Sequence, residues 1–222
     1  MQWTVLATAR DVALAAFRRI ADAAAEAIAT RGRFTIVLAG GTTPGRVYRM
    51  LADSDQDWQH WHVFLGDERC LPEGHADRNS SMIQHNLLDA AAIPAQQVHM
   101  IPAQLGAEPA AEQYAGIIAN YLPFDLVLLG MGEDGHTASL FPGHHHPPDA
   151  LVVPVHDAPK PPPERVSLSG RALGASRHLI ILATGEAKQD AVSRWRQGIT
   201  LPVNQIRARE AAEVLVDQPA WA

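Results

Sequence analysis

An acid and an imidazole lie in one glycine-rich segment, which offers the clearest candidate chemistry of the chain. Asp134 and His136 stand beside Gly132 and Gly135, directly after the apolar run 124–129. Imidazole titrates near neutral pH, so His136 is a candidate general base that Asp134 could orient. We interpret the apolar run as a strand buried on both faces, and we expect a helix to begin near His136, which would favour the neutral ring.

A second glycine-containing loop could bind an anion. Gly41 precedes Thr42, Thr43 and Pro44. Glycine amides approach an anion closely and a helix N-terminus carries partial positive charge, so the loop predicts a phosphate cradle at the start of a helix that Thr43 could cap. It matches neither a dinucleotide-binding motif nor a Walker A motif, because no lysine follows the glycines. A tight turn without any ligand is an equally good interpretation of the loop alone.

Three cations are candidates for contacts with the same anion: Arg69, Arg165 and Lys188. An arginine presents a planar fork to phosphate or carboxylate, and Lys188 falls in the first turn of a predicted helix, where a bound anion would offset its unfavourable position. Each could instead be a solvated surface charge. Asp67 and Glu68 could either contact a substrate or form an internal salt bridge with Arg69, and the sequence favours neither role.

Two further groups of reactive side chains are interpreted as non-functional. His144, His145 and His146 are consecutive, so they cannot easily face one ion, and no carboxylate or thiol completes the set at a suitable spacing. We therefore predict an exposed loop without metal. Cys70 is the only cysteine, which excludes an intramolecular disulfide and favours a reducing compartment, and no activating partner for its thiol is evident.

Strands and helices are predicted to alternate around these loops. Strands are expected at 34–38, 61–65, 124–129 and 178–183, and helices at 11–31, from Pro44, and near 79–88, 110–121 and 185–195. This order predicts an α/β fold of the doubly wound, Rossmann-like type, with a mainly parallel sheet and helices on both faces, in a single domain over residues 1–222. The proline-rich stretch 156–164 is expected to be an extended surface connection. Four polar loops follow the predicted strands, at residues 40–44, 66–69, 132–136 and 184–188. Since the carboxyl ends of parallel strands share one edge, we expect these four loops to form one pocket.

The composition limits the class of partner. The chain has 222 residues, is 47% hydrophobic and carries a formal net charge of -6, which argues against nucleic-acid binding. No segment is apolar for long enough to cross a membrane, and the N-terminus shows no leader pattern. We predict a cytoplasmic protein that binds a small anionic molecule and is a monomer or a small homo-oligomer.

Taken together, the motifs resemble those of the 6-phosphogluconolactonase and glucosamine-6-phosphate deaminase family. The likeness spans nearly the whole chain and is carried by residues 38–44, 66–72, 77–80, 125–132, 134–143, 159–168 and 184–188. The resemblance implies a Rossmann-like fold and the hydrolysis of 6-phospho-D-glucono-1,5-lactone to 6-phosphogluconate, the second step of the oxidative pentose phosphate pathway, with neither metal nor organic cofactor. It assigns His136 as the base that activates water, with Asp134 as its neighbour. The substrate contacts that it implies are Gly41, Thr42, Thr43, Arg165 and Lys188 around the phosphate, with Arg69 near the substrate.

One departure and two alternatives accompany this resemblance. Gly174 stands where the family usually has an asparagine, so the local geometry around Arg165 is expected to be less secure. An amino-sugar phosphate deaminase would need another acid after the His136 turn, and residues 139–143 supply none. A non-catalytic phosphosugar sensor is the second alternative, and the presence of both Asp134 and His136 argues against it.

Overall fold

The computed structural model describes all residues, Met1–Ala222, and contains ten strands in two sheets. The strands are β1 Gln2–Leu6, β2 Phe34–Leu38, β3 Trp61–Leu65, β4 Asp67–Arg69, β5 Val98–His99, β6 Phe124–Gly130, β7 Val152–Val155, β8 Arg165–Leu168, β9 Ser176–Ala183 and β10 Ala211–Asp217. The helices are α1 Ala9–Arg31, α2 Thr42–Ala52, α3 Asn79–Ile83, α4 Ala107–Ile118, α5 Gly170–Gly174, α6 Gln189–Arg196, α7 Pro202–Gln205 and α8 Gln218–Trp221. A π-helical turn, Gln84–Leu88, continues α3, and a 3-10 turn, Glu186–Lys188, precedes α6.

The larger sheet is parallel throughout and confirms the predicted doubly wound fold. Its seven strands lie in the order β1-β10-β9-β6-β2-β3-β5. Every residue of β2 is buried, as is every residue of β6 except the last, so the middle of the sheet is covered on both faces. Such strands read as continuous apolar runs because neither face meets water, and this is why β2 and β6 were visible in the sequence.

The order of the strands reverses between β2 and β6. From β2 the chain moves outward to β3 and β5, and it then returns to the other side of β2 as β6 before it continues to β9 and β10. The loops after β2 and β6 therefore leave the sheet in opposite directions and open a crevice at the carboxyl ends of the strands. Because β9, β6, β2 and β3 are consecutive in the sheet, the four polar loops of the sequence analysis follow four neighbouring strands.

The smaller sheet was not predicted. It has three antiparallel strands in the order β4-β8-β7, and the proline-rich connection 156–164 joins β7 to β8. Its register places Arg69 opposite Arg165 and Asp67 opposite Ser167. The sequence analysis also did not identify β1 and β10, which form one side of the larger sheet. The strands of the smaller sheet have only three or four residues, which is too short to show a periodic pattern.

Two local predictions were wrong. No helix begins near His136: residues 132–140 form turns, in which the backbone N–H of Gly132 donates to the carbonyl of His136 at 2.8 Å. Thr43 does not cap α2, which begins two residues earlier than predicted, at Thr42, with Gly41 as its N-cap at φ 111°. The hydroxyl of Thr43 instead lies 2.6 Å from that of Thr184, so a tertiary contact replaces the expected local one.

The interior is continuous across the two sheets. One cluster of 56 buried apolar residues includes residues of the larger sheet and of β7 and β8, so the two sheets share one core. No helix of the structure has the length and apolar character that a membrane span requires.

Candidate active site

A cavity of about 360 Å³ lies at the crevice between β2 and β6. Its lining combines four cations and one imidazole with a single carboxylate. The lining residues are Ala39, Gly40, Gly41, Asp67, Arg69, Asn79, Gly130, Met131, Gly132, His136, Ala138, Phe141, Lys160, Pro161, Arg165 and Lys188. The excess of positive charge suits an anionic ligand.

The imidazole of His136 is held by its neighbours in the turn. Its Nδ1 lies 2.5 Å from Oδ1 of Asp134, and the same oxygen accepts the backbone N–H of His136 at 3.0 Å. Gly132 packs so closely that a Cβ atom there would lie 2.0 Å from Nδ1 of His136. The site therefore needs glycine at position 132 to make room for the ring.

This arrangement fixes the tautomer of His136. Partial burial opposes ionisation of Asp134, but the backbone and ring of His136 outweigh it, and the pKa of Asp134 is lower than usual. An ionised carboxylate only accepts hydrogen bonds, so Nδ1 of His136 is the donor and the lone pair lies on Nε2. The ring lines the cavity and can take a proton from a bound molecule.

Phe141 packs against both charged ends of the site, a role the sequence analysis did not assign to it. Its ring centroid lies 4.7 Å from that of His136 and 5.6 Å from the guanidinium carbon of Arg165. Phe141 is the only aromatic residue besides His136 that lines the cavity, so it is the only ring there that packs against the imidazole. An aromatic face also favours the nearby guanidinium cation.

Arg69 and Arg165 lie side by side because the small sheet pairs them. Arg165 donates from Nε to the carbonyl of Pro162 at 3.1 Å and from a terminal nitrogen to that of Lys160 at 2.7 Å. Arg69 donates to the carbonyl of Asp77 at 2.5 Å, while its buried Nε has no partner. Like charges on directly opposed residues destabilise a sheet, so this pairing favours an anion bound between the two guanidinium groups.

The internal salt bridge considered for Arg69 does not form. Glu68 is fully buried and lies 3.3 Å from Nε of Arg78. It also accepts the backbone N–H groups of Arg69, Asn79 and Ser80 at 2.7–2.8 Å. Glu68 therefore supports the start of α3 and does not face the cavity lining.

Asp67 is the only carboxylate that lines the cavity. It accepts hydrogen bonds from the hydroxyl of Ser139 at 2.7 Å and the amide of Asn79 at 3.1 Å. Burial raises its pKa, and this effect exceeds the opposite effects of Ser139, Arg69 and Arg165. Asn79 in turn requires Gly40, since a Cβ there would lie 2.0 Å from the Asn79 amide oxygen.

The predicted phosphate residues are only partly brought together. Gly41, Arg69, Arg165 and Lys188 line the cavity with His136, whereas the side chains of Thr42 and Thr43 do not. Lys188 ends the 3-10 turn before α6, and its side chain has no hydrogen-bond or ion-pair partner. Burial lowers its pKa, and the nearby Glu133 acts in the opposite direction. A half-buried ammonium without a partner is suited to an incoming anion.

Residues interpreted as non-functional lie outside this cavity. Burial raises the pKa of the Cys70 thiol to about 11, so it is a poor nucleophile. His144, His145 and His146 lie on a surface loop, and nowhere does the structure place three ligating side chains around one point. Gly174 ends α5, where a Cβ would lie 3.0 Å from the carbonyl oxygen of Arg207, so the residue packs against that segment.

Comparison with known proteins gives a consistent result. The family described as Glucosamine-6-phosphate isomerases/6-phosphogluconolactonase matches residues 7–216. A 6-phosphogluconolactonase of Mycobacterium leprae is 38% identical over 227 residues, which cover 94% of this chain and 92% of that protein. The chain spans 65% of the length of a chloroplast 6-phosphogluconolactonase of Arabidopsis thaliana, at 34% identity and with 86% of this chain covered.

A solved structure shows the same architecture. The crystal structure of 6-phosphogluconolactonase from Thermotoga maritima superposes with a TM-score of 0.91 and 31% sequence identity, over 98% of this chain and 99% of that one. Fold, site motifs and sequence thus agree along most of the length. The chain belongs to the glucosamine-6-phosphate isomerase/6-phosphogluconolactonase family.

Proposed function

We propose that the protein hydrolyses 6-phospho-D-glucono-1,5-lactone to 6-phosphogluconate. The observation that carries the proposal is the shared cavity: the imidazole of His136, oriented by Asp134, lines it together with Arg69, Arg165 and Lys188. A base and a group of cations in one cavity match a sugar lactone that bears a phosphate. The names of the relatives support the same reaction.

His136 acts as the general base in this mechanism. Its Nε2 takes a proton from water while the water oxygen forms a bond to C1 of the lactone. Asp134 keeps the Nδ1 proton in place and stabilises the imidazolium that forms. The tetrahedral intermediate then breaks the bond between C1 and the ring oxygen, and His136 returns its proton to that oxygen. One water is added, and no electrons or groups pass to a carrier.

Positive groups and backbone amides bind the rest of the substrate. Gly41 and the first residues of α2 have no side-chain cap, so their N–H groups are available to phosphate oxygens. Lys188 and Arg165 supply positive charge to the same cavity, and Arg69 lies close enough to Arg165 to contact the substrate beside it. Binding the phosphate aligns C1 with His136 and converts binding energy into rate.

A coupled assay tests this proposal. Glucose-6-phosphate dehydrogenase produces the lactone in the cuvette, and its disappearance is compared with spontaneous hydrolysis. We expect rapid decay with the wild-type protein and a loss of about 10²- to 10⁴-fold with His136→Ala, because the base is removed. His145→Ala, an exposed histidine outside the cavity, is the matched control and should behave as wild type.

Two outcomes would contradict the mechanism or the reaction. If His136→Ala hydrolyses the lactone at the wild-type rate, His136 is not the base. If the wild-type protein leaves the lactone at its spontaneous rate and instead releases ammonia from glucosamine-6-phosphate, the deaminase alternative is correct. Binding of 6-phosphogluconate without turnover of either substrate would support the sensor.

A further inference from the structure

One ion pair joins the two walls of the cavity. Nζ of Lys160 lies 3.2 Å from Oε2 of Glu133, and both side chains are more than half exposed. Glu133 belongs to the turn that carries His136, and Lys160 belongs to the connection 156–164, whose carbonyl groups hold Arg165. The pair thus links the wall that carries the imidazole with the wall that carries the guanidinium.

The charges of two lysines act on Glu133, although only Lys160 pairs with it. The hydrogen bond and charge of Lys160 lower the pKa of Glu133, and the charge of Lys188 lowers it further. The two lysines also sense each other, since the charge of Lys160 adds to the effect of burial in lowering the pKa of Lys188. Lys160 and Lys188 line the cavity, whereas Glu133 does not. Both ammonium groups can therefore face a molecule in the cavity, and Glu133 competes with it from outside.

A phosphate ester can displace Glu133 from Lys160. An exposed ion pair of this kind is weak, because water screens both charges. A phosphate group carries a charge of about -1.5 to -2 at neutral pH and offers three acceptor oxygens. The phosphate would also be attracted by the charges of Lys188 and Arg165, whereas Glu133 forms an ion pair with Lys160 alone.

We propose that Lys160 binds the phosphate of the substrate and that Glu133 is its exchangeable counter-ion in the unliganded protein. The ion pair opens when a phosphate ester enters and forms again when the product leaves. Glu133 thereby weakens the binding of the anionic product and favours its release. This inference rests on the proposed function, since it concerns the same cavity and the same phosphosugar.

Calorimetric titration with 6-phosphogluconate, and separately with inorganic phosphate, tests the role of each partner. We expect Glu133→Gln to tighten binding about two- to fivefold, because an exposed competing charge is removed. Lys160→Met should weaken binding about five- to thirtyfold, because a charged hydrogen bond to phosphate is lost. Asp55→Asn is the control: Asp55 is exposed before the amino end of β3, at the sheet edge opposite to the cavity, and should change affinity less than twofold.

The signs of the two effects decide the result. If the pair only tethers the two walls, both Glu133→Gln and Lys160→Met break it and both weaken binding, which would overturn the proposal. An unchanged affinity in either variant would overturn it as well. The outcome is separable from that of the proposed function. If the wild-type protein hydrolyses the lactone but Glu133→Gln binds no tighter, only the role assigned to Lys160 and Glu133 is refuted.

Discussion

Replacing Gly132 by alanine should move the imidazole of His136 out of its working position. The added Cβ would lie 2.0 Å from Nδ1 of His136 and 2.7 Å from Oδ1 of Asp134, whereas ordinary contact begins at 3.4 Å. The ring must retreat by more than 1 Å, or the backbone of the turn must shift. The φ of Gly132 is not in the left-handed region, so the clash with the ring is the dominant effect.

The size of the loss follows from this displacement. A misplacement of about 1 Å at a reacting group costs about 10²-fold in rate, which corresponds to about 2.7 kcal/mol of activation free energy. We therefore expect kcat of Gly132→Ala for lactone hydrolysis to fall about 10²-fold. KM should change little, because Lys188 and Arg165 at the phosphate end are not displaced.

The coupled lactone assay, with a thermal melt of each variant, checks this reasoning. Gly116→Ala is the control, because Gly116 lies in α4 and a Cβ there meets no atom within 4 Å. It should keep full activity and gain up to about 1 kcal/mol of stability, as alanine favours a helix. A folded Gly132→Ala protein with wild-type kcat would refute the argument that the ring position of His136 depends on this glycine.

Two further predictions concern binding and stability. Lys188→Met should weaken 6-phosphogluconate binding about 10- to 10²-fold by calorimetry, since a charged hydrogen bond to phosphate is lost while the aliphatic stem remains; equal affinity would remove Lys188 from the phosphate site. Burial, helped by His62, lowers the pKa of His99 to about 4, against 6.5 in the unfolded chain. The unfolded state thus binds more protons between pH 6.5 and 4, and stability falls as pH drops through this window. After allowance for partial exposure, His99 should account for about 1–2 kcal/mol of this loss. Denaturant unfolding of His99→Phe at pH 7 and 4.5 should show a correspondingly smaller difference, and an unaltered pH dependence would contradict the assignment.

The sequence allowed the larger sheet to be predicted because its central strands are short, continuous apolar runs. β2, β3, β6 and β9 each match such a run, and each is followed by a polar segment, which after β3 forms the short strand β4. Parallel pairing then brings the loops to one edge, so the convergence of Arg69, His136 and Lys188 on one cavity followed from topology. The roles assigned to these residues remain predictions.

Other features of the site depend on contacts between residues far apart in the chain. The antiparallel register of β4 and β8 places Arg69 opposite Arg165, and no local pattern in two such short strands indicates that pairing. The hydroxyl of Thr43 likewise contacts Thr184, so it neither caps α2 nor lines the cavity, although its local sequence favoured both.

The sequence by itself determined the residue types of the site, the four central strands β2, β3, β6 and β9, and the family. Only the tertiary structure decided that Gly40 makes room for the amide of Asn79, that Glu68 pairs with Arg78, and that Glu133 lies beside Lys160. The physical reason is range. Apolar periodicity and turn preferences act over a few neighbouring residues, whereas the position of a charged side chain in a cavity is set by strand register and by the packing of distant segments.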